Sequence, residues 1–274
     1  MLYKELGKTG KKIPALGLGT WRIGGAHTPD HGKDREYIEI LKKAIEMGYT
    51  HIDTAEMYGA GHAEELVGEA IQDFERDDLF IVTKVLPTNL KRERLLCSLQ
   101  ASLKRLKTDY IDLYLIHWLT ATSPLQEGLE AMAQAVDEGL ILHAGVSNFD
   151  KTLLKKAIAL SPTPLVCNQV LYNIEEREPE KDHLLSFCQK EGITLTAYSP
   201  LGKGSFGQRA SAILKEIAER HHATIYQVAL AWLLAKERVV TIPKASNIRH
   251  LRENLASLDI RLSKEELKRL DENR

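Results

Sequence analysis

The chain has 274 residues, with 37 basic and 38 acidic side chains and a formal net charge of −1. That balance excludes the basic excess or stripe of a nucleic-acid binder, and 43% hydrophobic with 27% charged residues is globular chemistry rather than disorder. No apolar run approaches the ~18 residues needed to cross a bilayer, and MLYKELGKTGKK lacks the apolar core of a secretory signal, so a soluble, cytoplasmic protein without a membrane partner is expected.

Residues 2–15 read as a small hairpin turning at Lys8-Thr9-Gly10, suited to closing the bottom of a barrel. A β-rich run at 16–20 is followed by a helix over 34–47, with Ile38, Leu41 and Ile45 on one face. Next come a strand at 50–55, a loop after Tyr58 (GAGHAEELVG), and a strand at 79–85. A helix over 91–106 repeats the pattern through Leu95, Leu99, Leu103 and Leu106. Strands at 110–118, 142–149, 165–172, 194–200 and 239–245 then alternate with helices over 126–138, 151–160, 182–191, 211–236 (read as two) and 247–258. The tail from Ser263 to Arg274 reads as a helix opened by a capping box, since Glu266 stands three residues after Ser263.

Successive strand runs start 34, 29, 31, 32, 23, 29 and 45 residues apart. A parallel βαβ unit needs about 30 residues, because its crossover must hold a helix. Eight such units predict an α/β fold of the (β/α)8 TIM-barrel type, with the doubly wound open sheet as the competitor. No Pro/Gly/Ser-rich linker divides residues 1–274, so one domain is expected. Cys97, Cys167 and Cys188 match no zinc spacing and read as reduced structural thiols.

Several motifs fail on context. Gly7-Lys8-Thr9 lacks the glycine a P-loop needs five positions earlier, where Leu2 stands. Gly202-Lys203-Gly204-Ser205-Phe206-Gly207 matches GxGxxG but follows the seventh strand rather than the first, so it reads as a glycine loop able to approach a phosphate. His51 and Asp53 share a strand face, with His117 the only further ligand candidate, and no metal is expected there. His221-His222 reads as a solvated pair at a helix C-terminus.

In barrels, chemistry collects at the C-terminal ends of the strands. The second predicted strand ends in Asp53, with Tyr58 in the following loop; the third carries Lys84 and the fourth ends at His117. The fifth offers Ser147 and Asn148, the sixth Asn168 and Gln169, the seventh Tyr198 and Ser199, and the eighth Lys244. Singly, each has a structural reading, such as an Asp53–Lys84 ion pair or a hydrogen-bonded core His117. Together, four such groups at one end suggest proton transfer. An ammonium ~4 Å from a phenol, at an effective dielectric of ~20, favours the phenolate by about 4 kcal/mol, or roughly three pKa units. That would bring Tyr58 toward neutrality as a proton donor, with Asp53 orienting Lys84 and His117 polarising a carbonyl oxygen.

With these residues in place, the sequence resembles an aldo-keto reductase along nearly its whole length. The matching segments are GLGTW (17–21), GYTHIDTAEMYG (48–59), VTKV (82–85), DLYLIHW (112–118), GVSNF (145–149), NQV (168–170), AYSPLGKG (197–204) and IPKAS (242–246), with Glu253-Asn254. The resemblance implies a catalytic tetrad of Asp53, Tyr58, Lys84 and His117, with NADPH lying across the barrel mouth. It implies that Ser147, Asn148 and Gln169 hold the carboxamide and Tyr198 stacks on the nicotinamide, with Ser199, Leu201, Lys203 and Gly204 along the pyrophosphate. Lys244, Ala245, Ser246, Arg249 and His250 would surround the 2′-phosphate end, Glu253 and Asn254 would face adenine, and Trp21 and Trp118 would line the substrate pocket. His250 stands where the family carries a second phosphate-binding basic residue and Ala245 where serine is common, so some NADH use is expected.

The implied activity is reduction of a small aldehyde or ketone by a monomer. Two other readings are distinguishable by experiment: a nucleotide-binding regulatory subunit of the same fold, and a Schiff-base aldolase using Lys84.

Overall fold

A computed structural model describes residues 1–202, 204 and 206–272. The chain opens with β1 (Tyr3–Glu5) and β2 (Lys12–Pro14), then β3 (Leu18–Gly19), α1 (Asp34–Glu46), β4 (His51–Asp53), α2 (His62–Ile71), β5 (Phe80–Val85), α3 (Arg92–Leu106), β6 (Ile111–Ile116) and α4 (Leu125–Asp137). It continues through β7 (Ile141–Ser147), α5 (Lys151–Leu160), β8 (Leu165–Leu171), α6 (Glu178–Lys181), α7 (Leu184–Glu191), β9 (Thr194–Tyr198), α8 (Gln208–Arg220), α9 (Ile225–Ala235), β10 (Val239–Thr241), α10 (Ile248–Ala256) and α11 (Lys264–Glu272). Each of the eight predicted barrel strands is present.

Strands β3 to β10 pair in parallel and in sequence order. The sheet then closes on itself, because Leu16 bridges Thr241 and Gly19 bridges Lys244, both in parallel. Gly17 N donates to Thr241 O at 2.8 Å and Thr241 N to Ala15 O at 2.8 Å. A side chain at position 19 would prevent this seam, since a Cβ there would lie 2.7 Å from Ile242 O. Closure decides for the barrel against the open sheet. Strands β5 and β6 are buried at every position, as expected when a parallel sheet is covered on both faces. The long 45-residue interval holds two helices, α8 and α9, and the short 23-residue one holds the ten-residue α5.

The hairpin sits at the N-terminal end of the barrel. Tyr3 pairs with Pro14 and Glu5 with Lys12, and Gly7 N donates to Oγ1 of Thr194, the first residue of β9, at 2.8 Å. Lys4 Nζ donates to the carbonyls of Leu234, Lys236 and Val239 at 2.6–2.8 Å, closing the α9–β10 corner. Its burial pulls the ammonium pKa down to about 8.

The capping box is present: Ser263 N donates to Glu266 Oε2 and Glu266 N to Ser263 Oγ. Two expectations are overturned. His221 is not a solvated residue, because its Nε2 lies 3.1 Å from the buried Glu266 and pins α11. The segment after Tyr58 is not a loop beyond Gly61: residues 62–71 form α2. Gly61, at φ 98, turns the chain into that helix, and Gly68 lets it touch α3, where a Cβ would come within 2.2 Å of Arg105 O. These glycines obscure the apolar face formed by Leu66, Val67, Ala70 and Ile71.

Candidate active site

Parallel pairing brings the polar strand ends to one level. Asp53 is the last residue of β4, Lys84 is the penultimate residue of β5, and His117 directly follows β6. Asp53 pairs with Val82, two residues before Lys84, and Val85 pairs with Ile116, so the three ends are in register. Tyr58 enters from the short 3-10 turn that opens after β4.

Lys84 Nζ donates to Asp53 Oδ1 at 2.6 Å and to Thr54 O at 2.7 Å, and lies 3.5 Å from Tyr58 Oη. The second carboxylate oxygen, Asp53 Oδ2, accepts from Gln169 Nε2 at 2.7 Å across the barrel. Lys84 is 0% exposed and Tyr58 9%, so the ammonium reaches the barrel mouth only through the phenol. Burial lowers the lysine pKa, but Asp53 and Tyr58 outweigh it and raise the net value, keeping the amine charged.

For Tyr58 the structure corrects the expected direction. Burial pushes the phenol above its usual value, and the opposing charge of Lys84 does not overcome it, partly because Asp53 neutralises that charge. Desolvation of the phenol outweighs the pull of the ammonium. The phenol therefore carries its proton at neutral pH, as a donor must. His117 shows the converse: burial first, then the Lys84 charge, pull its pKa down to about 3, so the imidazole is neutral. Its Nδ1 is buried without a hydrogen-bond partner among the described residues.

Trp21 packs edge-on to Tyr58 at 4.9 Å between ring centroids, and Trp118 edge-on to His117 at 4.6 Å. Both indoles are half-buried and stand on either side of the phenol–imidazole pair, whose rings are 5.8 Å apart.

Beside this group lies a second polar cluster. Asn148, at φ 61, donates through Nδ2 to His117 O (3.0 Å) and Ser147 Oγ (3.1 Å), while its Oδ1 accepts from Tyr198 Oη at 2.9 Å. Ser147 and Gln169 are paired neighbours on β7 and β8. Asn168 donates to Phe149 O, and its Oδ1 is buried without a partner among the described residues. Ser199 is exposed at φ 47, Leu201 is half-buried, and Gly204 O accepts from Tyr226 Oη at 2.8 Å. Lys203 lies outside the described residues.

At the far end, Asn247 caps α10 by accepting from His250 N. Arg249 turns back on its own helix, with Nη2 3.1 Å from His250 Nε2 and Nη1 3.4 Å from Glu253 Oε1. Ala245 and Asn254 are buried and Ser246 is half-buried. Lys244 is exposed, and burial of its stem together with the charges of Arg22 and Lys33 lowers its pKa. Sequence reasoning missed Arg22 and Lys33, which lie over 200 positions from Lys244; only the barrel seam brings Gly19, and with it Arg22, to Lys244. Lys244 and Arg22 make no ion pair among the described residues. His51 Nδ1 donates to Pro14 O of the hairpin at 3.1 Å. Cys167 and Cys188 are buried free thiols, and Cys97 is an exposed free thiol on α3.

Comparison with known proteins places the chain among one family. The profile of the aldo/keto reductase family matches residues 15–274. The methylglyoxal reductase YeaE of Escherichia coli (strain K12) is 40% identical over 263 residues, covering 94% of this chain and 90% of its own. The crystal structure of a thermostable aldo-keto reductase, Tm1743, in complex with the inhibitor epalrestat superposes with a TM-score of 0.99 at 62% identity, over 100% of both chains. An aldo/keto reductase from Klebsiella pneumoniae, solved with NADP and acetate, gives a TM-score of 0.88 at 39% identity, covering 98% of this chain and 94% of that one.

Proposed function

Because the chain belongs to the aldo/keto reductase family, we propose that it reduces aldehydes and ketones reversibly with NADPH, using Tyr58 as the proton donor. The observation that carries this reading is Lys84, which contacts both Asp53 and Tyr58 from a fully buried position. The dinucleotide, when bound, supplies the hydride that a carbonyl carbon accepts. Tyr58 then gives its proton to the carbonyl oxygen, and Lys84, held charged by Asp53, stabilises the phenolate left behind. Neutral His117 directs a ring nitrogen toward the same oxygen and orients it before transfer. In the oxidative direction the phenolate takes the alcohol proton.

The chain fits such a cofactor. Asn168 Oδ1 is an orphaned buried acceptor beside Ser147, Asn148 and Gln169, the residues assigned to the carboxamide. Tyr198 presents a half-buried ring at the same level. Lys244 and Arg22 are cations near the N-terminus of α10, whose free N–H groups favour an anion. Ser199, Leu201 and the stretch through Gly204 would follow the pyrophosphate, with Lys203 assigned there by resemblance alone. Ser246, His250, Glu253 and Asn254 would border the adenosine end. Arg249 is held by Glu253 and His250, which supports modest discrimination against NADH.

Trp21 and Trp118 favour small and aromatic carbonyl compounds; methylglyoxal, the substrate in the name of the E. coli relative, belongs among those to try. The aldolase reading is disfavoured because a charged Lys84 with two short hydrogen bonds is not nucleophilic. We take the protein to act as a monomer in the cytoplasm, with residues 1–274 forming one domain; among the described residues no helix is long and apolar enough to cross a membrane. The test is oxidation of NADPH by 4-nitrobenzaldehyde and by methylglyoxal, repeated with NADH. Turnover with NADPH, and slower turnover with NADH, is expected. Tight NADPH binding without turnover of any carbonyl compound would favour the regulatory reading.

A further inference from the structure

A second group of ionisable side chains gathers where the segment after Trp21 meets the start of α2. His62, the first residue of that helix, is 6% exposed and has both ring nitrogens engaged. Its Nε2 faces Asp34 Oδ1 at 2.8 Å and its Nδ1 faces Glu65 Oε2 at 2.8 Å. His31 Nδ1 lies 3.1 Å from the other oxygen of Asp34, and its ring sits 4.1 Å from that of His62. We propose that His31, Asp34 and His62 form a binding site for a divalent transition-metal ion of the zinc class, with Glu65 orienting His62.

The donor set is the first argument. Two imidazoles and one carboxylate are a three-ligand set suited to zinc, leaving a fourth position for water. Spacing is the second. Ligands of a tetrahedral ion with ~2.1 Å bonds stand ~3.4 Å apart, and the three candidate atoms all lie within 4.8 Å of one another. Entry of the ion requires that the protons between Asp34 and both imidazoles leave to solvent, that His62 Nε2 and Asp34 Oδ1 part by ~0.6 Å, and that the exposed His31 turn its Nδ1 toward them. The third argument is the support. Glu65 takes the far nitrogen of His62, the carboxylate–histidine arrangement that fixes the tautomer of a metal ligand.

Packing adds rigidity on one side and access on the other. A Cβ on Gly24 would come within 2.8 Å of both His62 Cδ2 and Leu66 Cδ1, so His62 is held from behind. His31 is exposed and Asp34 half-buried, leaving the open position toward solvent. The nearby cation Lys33 faces Glu36 at 3.9 Å. Once the ion has displaced the imidazole protons, Asp34 and Glu65 give the site two negative charges to balance a divalent ion. A bound ion would tie the segment that follows Trp21 to the helix that follows Tyr58, bracing two walls of the proposed substrate pocket without entering the tetrad.

The test uses the untagged, chelator-treated full chain titrated calorimetrically with Zn2+, with Co2+ absorption reporting coordination. One ion per chain is expected, with a dissociation constant of about 10 μM or tighter, accompanied by a rise in melting temperature. His31→Ala, at an exposed position that preserves folding, should weaken Zn2+ binding by at least ~tenfold, and Glu65→Gln by ~tenfold. His222→Ala, at a histidine outside the cluster, should leave it unchanged. Absence of saturable Zn2+ binding below ~100 μM would overturn the proposal, as would parental affinity in both His31→Ala and Asp34→Asn.

Discussion

Neighbouring residues of β5 build two buried ion-pair groups, one on each face of the sheet. Thr83 points toward α2, where its hydroxyl donates to Glu64 Oε1 at 2.5 Å while Arg105 Nε donates to Glu64 Oε2 at 2.6 Å. Lys84 points the other way, into the barrel, and meets Asp53, Thr54 O and Tyr58. Both groups take a charge out of water and compensate it with short hydrogen bonds. They differ in what the third contact does. Around Glu64, Arg105 also donates to Ser102 Oγ at 3.2 Å, and every contact ends in packed helix or strand. Around Lys84, the third contact is the longest, and it leads through Tyr58 to the mouth. A saturated buried pair fastens structure; one with a group left over at a cavity can do chemistry.

Removing the charge on each side should separate the two roles. Lys84→Met leaves Asp53 buried without its cation, which costs about 3–5 kcal/mol of stability, and should lower kcat by ~10³-fold or more through loss of the phenolate's partner. Glu64→Gln should cost about 1–3 kcal/mol in denaturant unfolding while kcat stays within ~threefold. Equal losses of kcat in the two variants would erase the distinction.

The pH response sharpens the same contrast. The folded pKa of His117 is depressed to about 3 from an ordinary value near 6.5. Its contribution to stability is therefore complete above pH 6.5 and is lost as pH falls toward 3, because the unfolded chain takes up the proton first. Denaturant midpoints should fall over that interval more steeply for the parent than for His117→Gln. The reductive kcat/KM should show no break from imidazole titration between pH 5 and 8.

Satisfied and unsatisfied charges also face each other at α10. Arg249 is tied to Glu253, whereas Lys244 and Arg22 make no ion pair among the described residues. His250→Arg adds a fixed cation to Lys244 and Arg22 beside the phosphate end and should raise the NADPH-to-NADH ratio of kcat/KM by about tenfold. An unchanged ratio would mean that Lys244 and Arg22 already saturate the site. This is the smallest of the expected effects.

Much of the molecule was readable from residue order because it follows a simple rule. Runs such as FIVTKV and IDLYLI are buried on both faces, so their apolar continuity marks them as barrel strands and the ionisable residue within or after each stands out. Helix α2 escaped because Gly61 and Gly68, needed for entry and for contact with α3, interrupt its pattern. The closeness of Tyr58 to Lys84 follows from strand order, but its pKa direction does not, since depth of burial is not legible in residue order. Arg22 joins Lys244 only through the seam between β3 and β10. The His31–Asp34–His62 cluster is hidden for a related reason, as His62 opens that same helix α2.

The most direct test of the central claim is single-turnover reduction by Tyr58→Phe, with NADPH binding followed by fluorescence in the same sample. Parental NADPH affinity with the rate of carbonyl reduction lowered by ~10²-fold or more is predicted, because only the proton donor has been removed. A rate within a few-fold of the parent would contradict the account, and the proton would then have to come from elsewhere in the site.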